Sequence, residues 1–409
     1  MRAIFLLLFF VFLTSCTTEK DDKATRNQVI VKHLNKKESY VADETINLVF
    51  ETDDMLNYKL ILSNAYGSSV LAAAEEMDKL IFTIPQNYSR KAGVCHWFLI
   101  ANGETYSQGQ LNILPKVNSK PTLETYFGPR SITAGFDDYS MLVNVTTDAY
   151  DNVFPIGTEV AFKSQFLNSI STDMVASQDL ISWKNIYSTK KSGRIFVNTS
   201  FNATTSKELT TVVFPSLAET FEIAVERNHD YADGNQIMQL RTDVIKDKYE
   251  NIISDGTIVN FIIENSQAAI LNTMGATING IAKATILHPS EKENWTINAY
   301  VTGAAKSNTL ALMFHTAIND FDVVFSNNNR EITIGPLRSY MNQLIPNGIL
   351  VQIDVYNKSG IFLESKKLGS VKGFGRISML KEYYPEDAYN LRIKVAGITK
   401  EFDVTFDEE

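Results

Sequence analysis

The sequence predicts an all-β protein made of tandem β-sandwich modules. In short segments along most of the chain, apolar residues alternate with polar ones, which is the period of a strand with one face on a core. The fifteen residues DAYDNVFPIGTEVAF (148–162) also recur as DKYENIISDGTIVNF (247–261), an offset of 99 residues. Sustained helical periodicity is scarce, and only residues 69–79 (SVLAAAEEMDK) predict a helix. A strand-rich chain that repeats itself indicates separate β units of similar size.

The two copies share turn and strand residues at this offset. Asp148, Tyr150, Asn152 and Gly157 in the first copy match Asp247, Tyr249, Asn251 and Gly256 in the second. The short Asp and Asn side chains predict a turn in which they bond to nearby backbone N–H groups. The glycine allows a positive φ just before the next strand. We therefore interpret this motif as structural.

Other strands are assigned by matching alternating segments between copies. We interpret residues 193–197, 280–286 and 373–379 as one strand in three modules, residues 209–213, 297–301 and 391–395 as the next, and residues 221–225, 309–314 and 402–406 as the closing strand. Alternating segments at 46–50, 80–84, 95–101 and 110–114 predict an earlier, divergent unit. This assignment leaves Trp183 and Tyr187 in an insertion of the second module.

Four modules follow, with predicted bounds 27–115, 116–226, 227–311 and 312–409. Each averages about 96 residues, the size of an immunoglobulin-like sandwich of about seven short strands. The predicted architecture is an elongated array of tandem immunoglobulin-like modules.

The amino terminus predicts export and lipid attachment. Arg2 is followed by an apolar run, residues 3–13, that is short for a membrane span and typical of a signal peptide. Residues 13–16 (LTSC) resemble the bacterial lipobox, which predicts a signal peptide over 1–15, lipidation of Cys16, a polar tether over 16–26 and membrane attachment through the acyl chains. Residues 20–22 (KDD) resemble the sorting signal of surface lipoproteins of the Bacteroidetes. We expect an outer-membrane, surface-exposed protein, with the periplasmic face as the alternative.

Composition and motifs argue against several functions. The net charge is -9 and no long basic run occurs, which disfavours nucleic acid as a partner. Cys95, in an apolar stretch, predicts a buried residue, and the five histidines lack the spacing of a transition-metal site. No nucleophile elbow, zinc-binding helix or phosphate loop is present, so we predict no enzyme, no cofactor and no metal. Acidic residues near the joints leave calcium open beside the favoured interpretation of solvated hinges; they are Asp137, Asp138, Glu226, Asp230 and Asp233.

Aromatic residues supply the candidate ligand contacts. Trp97 shares a strand face with Cys95, which predicts core packing. Trp183 with Tyr187, and Tyr383 with Tyr384, are candidates for an exposed platform that stacks on a sugar or anchors a protein partner. Partial burial in a core is the alternative.

Residues 232–261 resemble the bacterial Ig-like domains of the invasin and intimin adhesins. The matching positions are Ala232, Asp233, Gly234, Asp247, Asn251, Asp255, Gly256 and Thr257. Residues 280–286 look like the Gly-Val-Ala strand of that family, whereas Tyr249-Glu250 and Pro155-Ile156 depart from its pattern. The resemblance covers the second to fourth modules and implies a β-sandwich rod used as an adhesin or spacer, without catalysis.

Two functions are therefore carried forward. The first is a non-enzymatic cell-envelope lipoprotein that acts as an adhesin-like or scaffold subunit, with an envelope or extracellular protein as its partner. The second is a surface glycan-binding lipoprotein that uses exposed aromatic side chains.

Overall fold

The structure is a computed structural model that describes residues 30–54, 56–76 and 79–407. The predicted signal peptide, Cys16 and the tether lie outside these residues. The described chain is almost entirely β, with one four-residue helix, and forms tandem immunoglobulin-like sandwiches, which confirms the predicted fold class. Among the described residues, none belongs to a helix that is long and apolar enough to cross a bilayer.

The elements of modules one and two run in chain order. Module one contains β1 (Val31–His33), β2 (Ser39–Val41), β3 (Asn47–Thr52), β4 (Lys59–Asn64), β5 (Gly67–Ala72), β6 (Ala74–Glu76), β7 (Lys79–Thr83), α1 (Gln86–Ser89), β8 (Gly93–Ala101) and β9 (Glu104–Leu114). Module two contains β10 (Thr122–Gly128), β11 (Ser131–Thr133), β12 (Tyr139–Thr147), β13 (Glu159–Phe166), β14 (Ser169–Ala176), β15 (Ser182–Tyr187), β16 (Gly193–Phe201), β17 (Thr204–Thr205) and β18 (Leu209–Phe214).

Modules three and four continue the same plan. Module three contains β19 (Ile223–Glu226), β20 (Tyr231–Ala232), β21 (Ile237–Thr242), β22 (Ile258–Asn265), β23 (Ile270–Ile278), β24 (Ile281–Leu287), β25 (Glu293–Val301), β26 (Ala305–Lys306) and β27 (Leu310–Thr316). Module four contains β28 (Val323–Ser326), β29 (Glu331–Ile334), β30 (Leu350–Asn357), β31 (Phe362–Gly369), β32 (Gly375–Ser378), β33 (Ala388–Val395) and β34 (Ile398–Thr405).

Each module packs two sheets against each other. The strand orders are β1-β3-β7-β6 with β2-β9-β8-β4-β5 in module one, β10-β12-β15 with β11-β18-β16-β13-β14 in module two, and β28-β29-β32 with β31-β30-β33-β34 in module four. In module three, β23 pairs with both β22 and β24 and so joins the two sheets.

The buried apolar residues form four clusters, each within one module. In module one, Trp97 packs edge-on against Phe50, with 5.3 Å between ring centroids. In module three, Trp295 packs against Phe314 at 4.9 Å. Cys95 is a buried free thiol, as predicted, and Trp97 is in the core. The modules are therefore separately cored, which follows from the alternation of each strand.

The helix predicted over residues 69–79 is wrong. Residues 67–72 form β5, which pairs with β4 through a tight hairpin, and residues 74–76 form β6, which pairs with β7. Alanine and glutamate favour a helix in isolation, but the hairpin partner and the core contact of Leu71 outweigh that weak local preference.

The matching of strands between copies is wrong in module two. The strand equivalent to β24 and β32 is β15, because each pairs with the strand that precedes the repeated turn. The segment from Gly193 is β16, which corresponds to β25 and β33. Trp183 and Tyr187 therefore lie in a sheet strand and not in an insertion.

Because the strands of module two were matched one strand out of step, two predicted module boundaries are also wrong. Strand β19 pairs with β21, so residues 223–226 open module three and do not close module two. Strand β27 pairs with β25, so residues 312–316 belong to module three and not to module four.

Candidate functional site

The repeated turn lies at the joints between modules. We call residues 148–152 and 247–251 the joint turns. In the second joint turn, the Asp247 carboxylate accepts bonds from the backbone N–H groups of Tyr249 and Asn251 at 2.8 and 2.9 Å. Its other oxygen accepts the Asn251 amide at 2.8 Å and the N–H of Ser216, in the linker after module two, at 2.8 Å. A turn predicted as local is thus tied to the preceding module.

The asparagine of each joint turn completes the connection. Asn251 accepts the backbone N–H of Ser192 at 2.9 Å and donates to the carbonyl of Lys190 at 2.7 Å, both in module two. Asn152 makes the corresponding bonds to Ala92 and Arg90 of module one, each at 2.8 Å. One side-chain amide therefore satisfies both a donor and an acceptor of the neighbouring loop.

The first joint turn is otherwise built like the second. Asp148 accepts the backbone N–H of Lys116, the linker residue after module one, at 2.8 Å. Tyr150 packs against the core of module one, and Tyr249 packs against the core of module two. Asp148, Asn152, Asp247 and Asn251 are all buried. The bond that each carboxylate accepts from the preceding linker contributes about 1.5–3 kcal/mol, and each asparagine adds two bonds to the preceding module, so these contacts couple neighbouring modules.

The electrostatics of the turns agree with this geometry. Burial by itself raises the pKa of the Asp247 carboxyl, but the bonds from Asn251 and Ser216 outweigh it and hold the pKa below its ordinary value. The same balance lowers the pKa of Asp148. At the first joint, the hydroxyl of Tyr150, followed by Arg90, lowers the pKa of Asp43 to about 2.

We expect the contribution of Asp247 to stability to disappear at low pH. A carboxyl whose pKa is lowered by folding stabilises fully above its unfolded pKa of about 3.9, and this contribution is lost as pH falls through the folded pKa. The difference in Tm between the wild type and Asp247→Asn should therefore be constant above about pH 5 and shrink toward pH 2. Thermal unfolding followed by circular dichroism across this range measures it, and a difference that does not begin to shrink below about pH 4 would contradict the assignment.

An exposed aromatic surface covers the outer side of the three-stranded sheet of module two. In the sheet register, Tyr126 and Trp183 lie on either side of Val143, and Tyr139 is opposite Tyr187. The rings of Tyr139 and Tyr187 are 5.2 Å apart between centroids. We call Tyr126, Tyr139, Met141, Val143, Trp183 and Tyr187 the aromatic face. Trp183 is 44% exposed and the three tyrosines are also exposed.

The polarity of β12 is inverted relative to an ordinary sandwich strand. Its inner side carries the fully buried polar residues Ser140 and Asn144 on either side of Leu142. Asn144 accepts the Thr199 hydroxyl at 2.9 Å, so these inner polar groups are partnered. The outer side carries Met141 and Val143. Folding buries apolar groups on the inner side of a strand, so it does not explain why the outer side of β12 is more apolar than its inner side. An apolar outer side of this kind indicates a binding surface.

The equivalent sheet surface mixes polar and aliphatic residues in the other modules, with Val324 exposed on it in module four. Module three has Arg241 paired with Glu226 at 2.9 Å, beside Lys283 and Thr285, with Ile237 and Leu287 at one end. The outward residues in module four include Thr333 and Arg376, and those in module one include Glu51 and Lys79. Within the described ranges, module two is the module that carries aromatic rings across this surface.

The structure divides the predicted aromatic candidates. Trp183 and Tyr187 are both in the aromatic face. Tyr383 is 66% exposed in a loop of module four, whereas Tyr384 is 2% exposed in the core of that module, so the prediction of an exposed Tyr384 is wrong. Tyr126 and Tyr139 were not predicted. Their signal was an aromatic residue in β10 and another in β12, and it becomes visible only when β15 is recognised as the third strand of the same sheet.

The acidic residues considered for calcium are mostly paired with nearby groups. Glu226 pairs with Arg241, and Asp230 pairs with Arg227 at 2.7 Å. Asp233 accepts two backbone N–H groups, and Asp138 accepts those of Thr133 and Tyr139. Asp137 is exposed. In the part of the chain that the structure describes, no three His, Cys, Asp or Glu residues converge as a metal site would require.

Comparison with known proteins adds structural neighbours. No family model matches the sequence, and no curated protein matches it. The structure is similar to the Escherichia coli adhesin FdeC, at 14% identity over 70% of this chain and 96% of that one, with a TM-score of 0.46. It is also similar to invasin, a bacterial integrin-binding protein, at 12% identity over 92% and 79% of the two chains, with a TM-score of 0.44. The Yersinia pseudotuberculosis adhesin InvE covers 56% of this chain at 14% identity, and 71% of InvE is covered, with a TM-score of 0.28.

Proposed function

We propose that this protein is a non-enzymatic, adhesin-like protein of the cell surface that binds its partner through the aromatic face of module two. The observation that carries the proposal is the inverted polarity of β12, which places Met141 and Val143 outside and polar residues inside. Large rigid rings supply contact area at a low entropic cost, and for this reason aromatic residues are enriched where proteins bind partners.

The array and its attachment suit this role. The LTSC sequence supports lipidation of Cys16 and anchoring at the outer membrane, and the sequence after it supports surface display. Module two would then be separated from the membrane by the tether and module one. The function needs no catalytic group.

A carbohydrate partner is the second candidate, and a different observation favours it. Asn185 lies on the same sheet surface between Trp183 and Tyr187, and its side-chain oxygen is shielded from solvent and has no hydrogen-bond partner among the described residues. Gly128, which pairs with Met141 on the side opposite Asn185, leaves open space above the sheet. Sugar rings stack on aromatic side chains, so such a ligand would use the exposed rings of Trp183 and Tyr187 and the open space at Gly128.

Adhesion of bacteria that express the full chain tests the proposal. We expect adhesion to target cells that is lost with Cys16→Ser, which removes the anchor, and with the combined variant Tyr126→Ala, Trp183→Ala and Tyr187→Ala. Protease treatment of the target cells should abolish adhesion if the partner is a protein, and periodate treatment should do so if it is a glycan. Unchanged adhesion by the combined variant, displayed at the same level, would refute a role for the aromatic face.

A further inference from the structure

Module four contains a third turn with the backbone of the joint turns. The N–H of Ser339 donates to the carbonyl of Gln343 at 2.8 Å, as Asp247 does to Asn251 at 2.9 Å. Asn342 has a φ of 62°, and Glu250, at the same position of the second joint turn, has 65°. The backbone match makes Ser339 and Gln343 the structural counterparts of the carboxylate and the amide.

The three side chains that connect modules are replaced in this third turn. Ser339 replaces the aspartate, Met341 replaces the tyrosine, and Gln343 replaces the asparagine. Met341 is 81% exposed and does not belong to the core of module three. Gln343 is also exposed, whereas Asn152 and Asn251 are buried. Within the described residues, no hydrogen bond joins the side chain of Ser339 or Gln343 to module three.

Other contacts join modules three and four, and they lie at the surface. They include the stacked rings of Tyr231 and Tyr340, the hydrogen bond between Thr316 and Tyr340, the bond from Asn235 to the carbonyl of Asn347, and the ion pair of Glu291 with Lys394. Gly348 and Gly397 also pack against Asn235 and Glu291. Tyr340 is half exposed, and the two members of the ion pair are about equally accessible to solvent.

Burial decides which joints resist bending. Bending at the second joint would break the bond from Ser216 to the buried Asp247 carboxylate and both bonds of Asn251 to module two, which would leave buried polar groups without partners at a high cost. Exposed hydrogen bonds and ion pairs exchange with water at little net cost. We propose that modules one to three move as one body held by the two joint turns, and that the chain bends at the joint between modules three and four.

Distances between spin labels on equivalent hairpins test this directly. Asn168, Gln267 and Ser359 are exposed in the turns that follow β13, β22 and β30. In the full chain with Cys16→Ser, the native thiol that remains is Cys95, which is buried and protected from labelling. We expect a narrow distance distribution between cysteines at 168 and 267. The distribution between 267 and 359 should be at least twice as wide.

Matched substitutions distinguish the effect of the joint turn on bending from a general destabilisation of the fold. Asn251→Ala should widen the 168–267 distribution to a width similar to that of the 267–359 pair, and Gln343→Ala should leave both distributions unchanged. If Asn251→Ala does not fold, Tyr249→Ala gives the same test. Equal widths for the two wild-type pairs, or no widening in a folded joint-turn variant, would overturn the proposal.

Discussion

Asp247→Ala is expected to lower the free energy of unfolding of module three by about 3–5 kcal/mol. The carboxylate is buried and accepts four hydrogen bonds, three of them from backbone N–H groups. Truncation leaves these donors without an acceptor, at about 1–3 kcal/mol each, and part of the loss is recovered where water reaches the turn. Few single substitutions outside an apolar core have an effect of this size.

Hydrogen exchange measured by mass spectrometry resolves the effect module by module. Protection should fall most in β22 and β25 of module three and in the loop of module two that contains Lys190 and Ser192. Ser339→Ala is the matched control, because the Ser339 side chain makes no hydrogen bond to another described residue in the same backbone turn, and it should change stability by less than about 0.5 kcal/mol. Similar losses for the two variants would show that the carboxylate has no special role.

The sequence predicted the strands well and the joints poorly. Alternating apolar residues such as Leu48, Phe50 and Val160 mark buried strand faces, and the structure buries all three. The Asp–Asn pair predicted a turn, but its long-range partners are backbone groups of Ala92 and Ser192. Every residue except proline has a backbone N–H, so the residue type does not indicate which residue will be the partner.

The aromatic face was hidden by a shift of one residue between the repeats. In the gapless repeat, Met141 matches Leu240 of module three, and Leu240 is in the core. Module three, however, has two consecutive exposed residues, Asp243 and Val244, between its strand and the turn. Because strand side chains alternate with a period of two, this interruption changes which residues face the core. Positions of β21 that match outward residues of β12 in the repeat therefore point inward. Residue-by-residue comparison of the two copies therefore predicted the strand but not which of its side chains face solvent.

Trp183→Ala is expected to weaken binding to the partner by about 30-fold. Tryptophan near the centre of a binding surface commonly contributes about 2 kcal/mol or more, and 1.4 kcal/mol corresponds to a factor of ten. Trp183 pairs with Val143, and Tyr126 pairs with Val143 from the other side, so the ring has apolar neighbours within the aromatic face. Because the ring is 44% exposed, its removal should change the Tm of module two little.

The concentration of fluorescently labelled protein that half-saturates the target cells measures this loss of affinity. Tyr383→Ala is the matched control, since Tyr383 is a predicted ligand contact that is more exposed than Trp183 but lies in a loop of module four. A ring that is exposed without flanking aromatic residues gains little from contact, so this variant should bind within about twofold of the wild type. If Tyr383→Ala weakened binding and Trp183→Ala did not, the binding surface would lie in module four and the inverted β12 would need a different explanation.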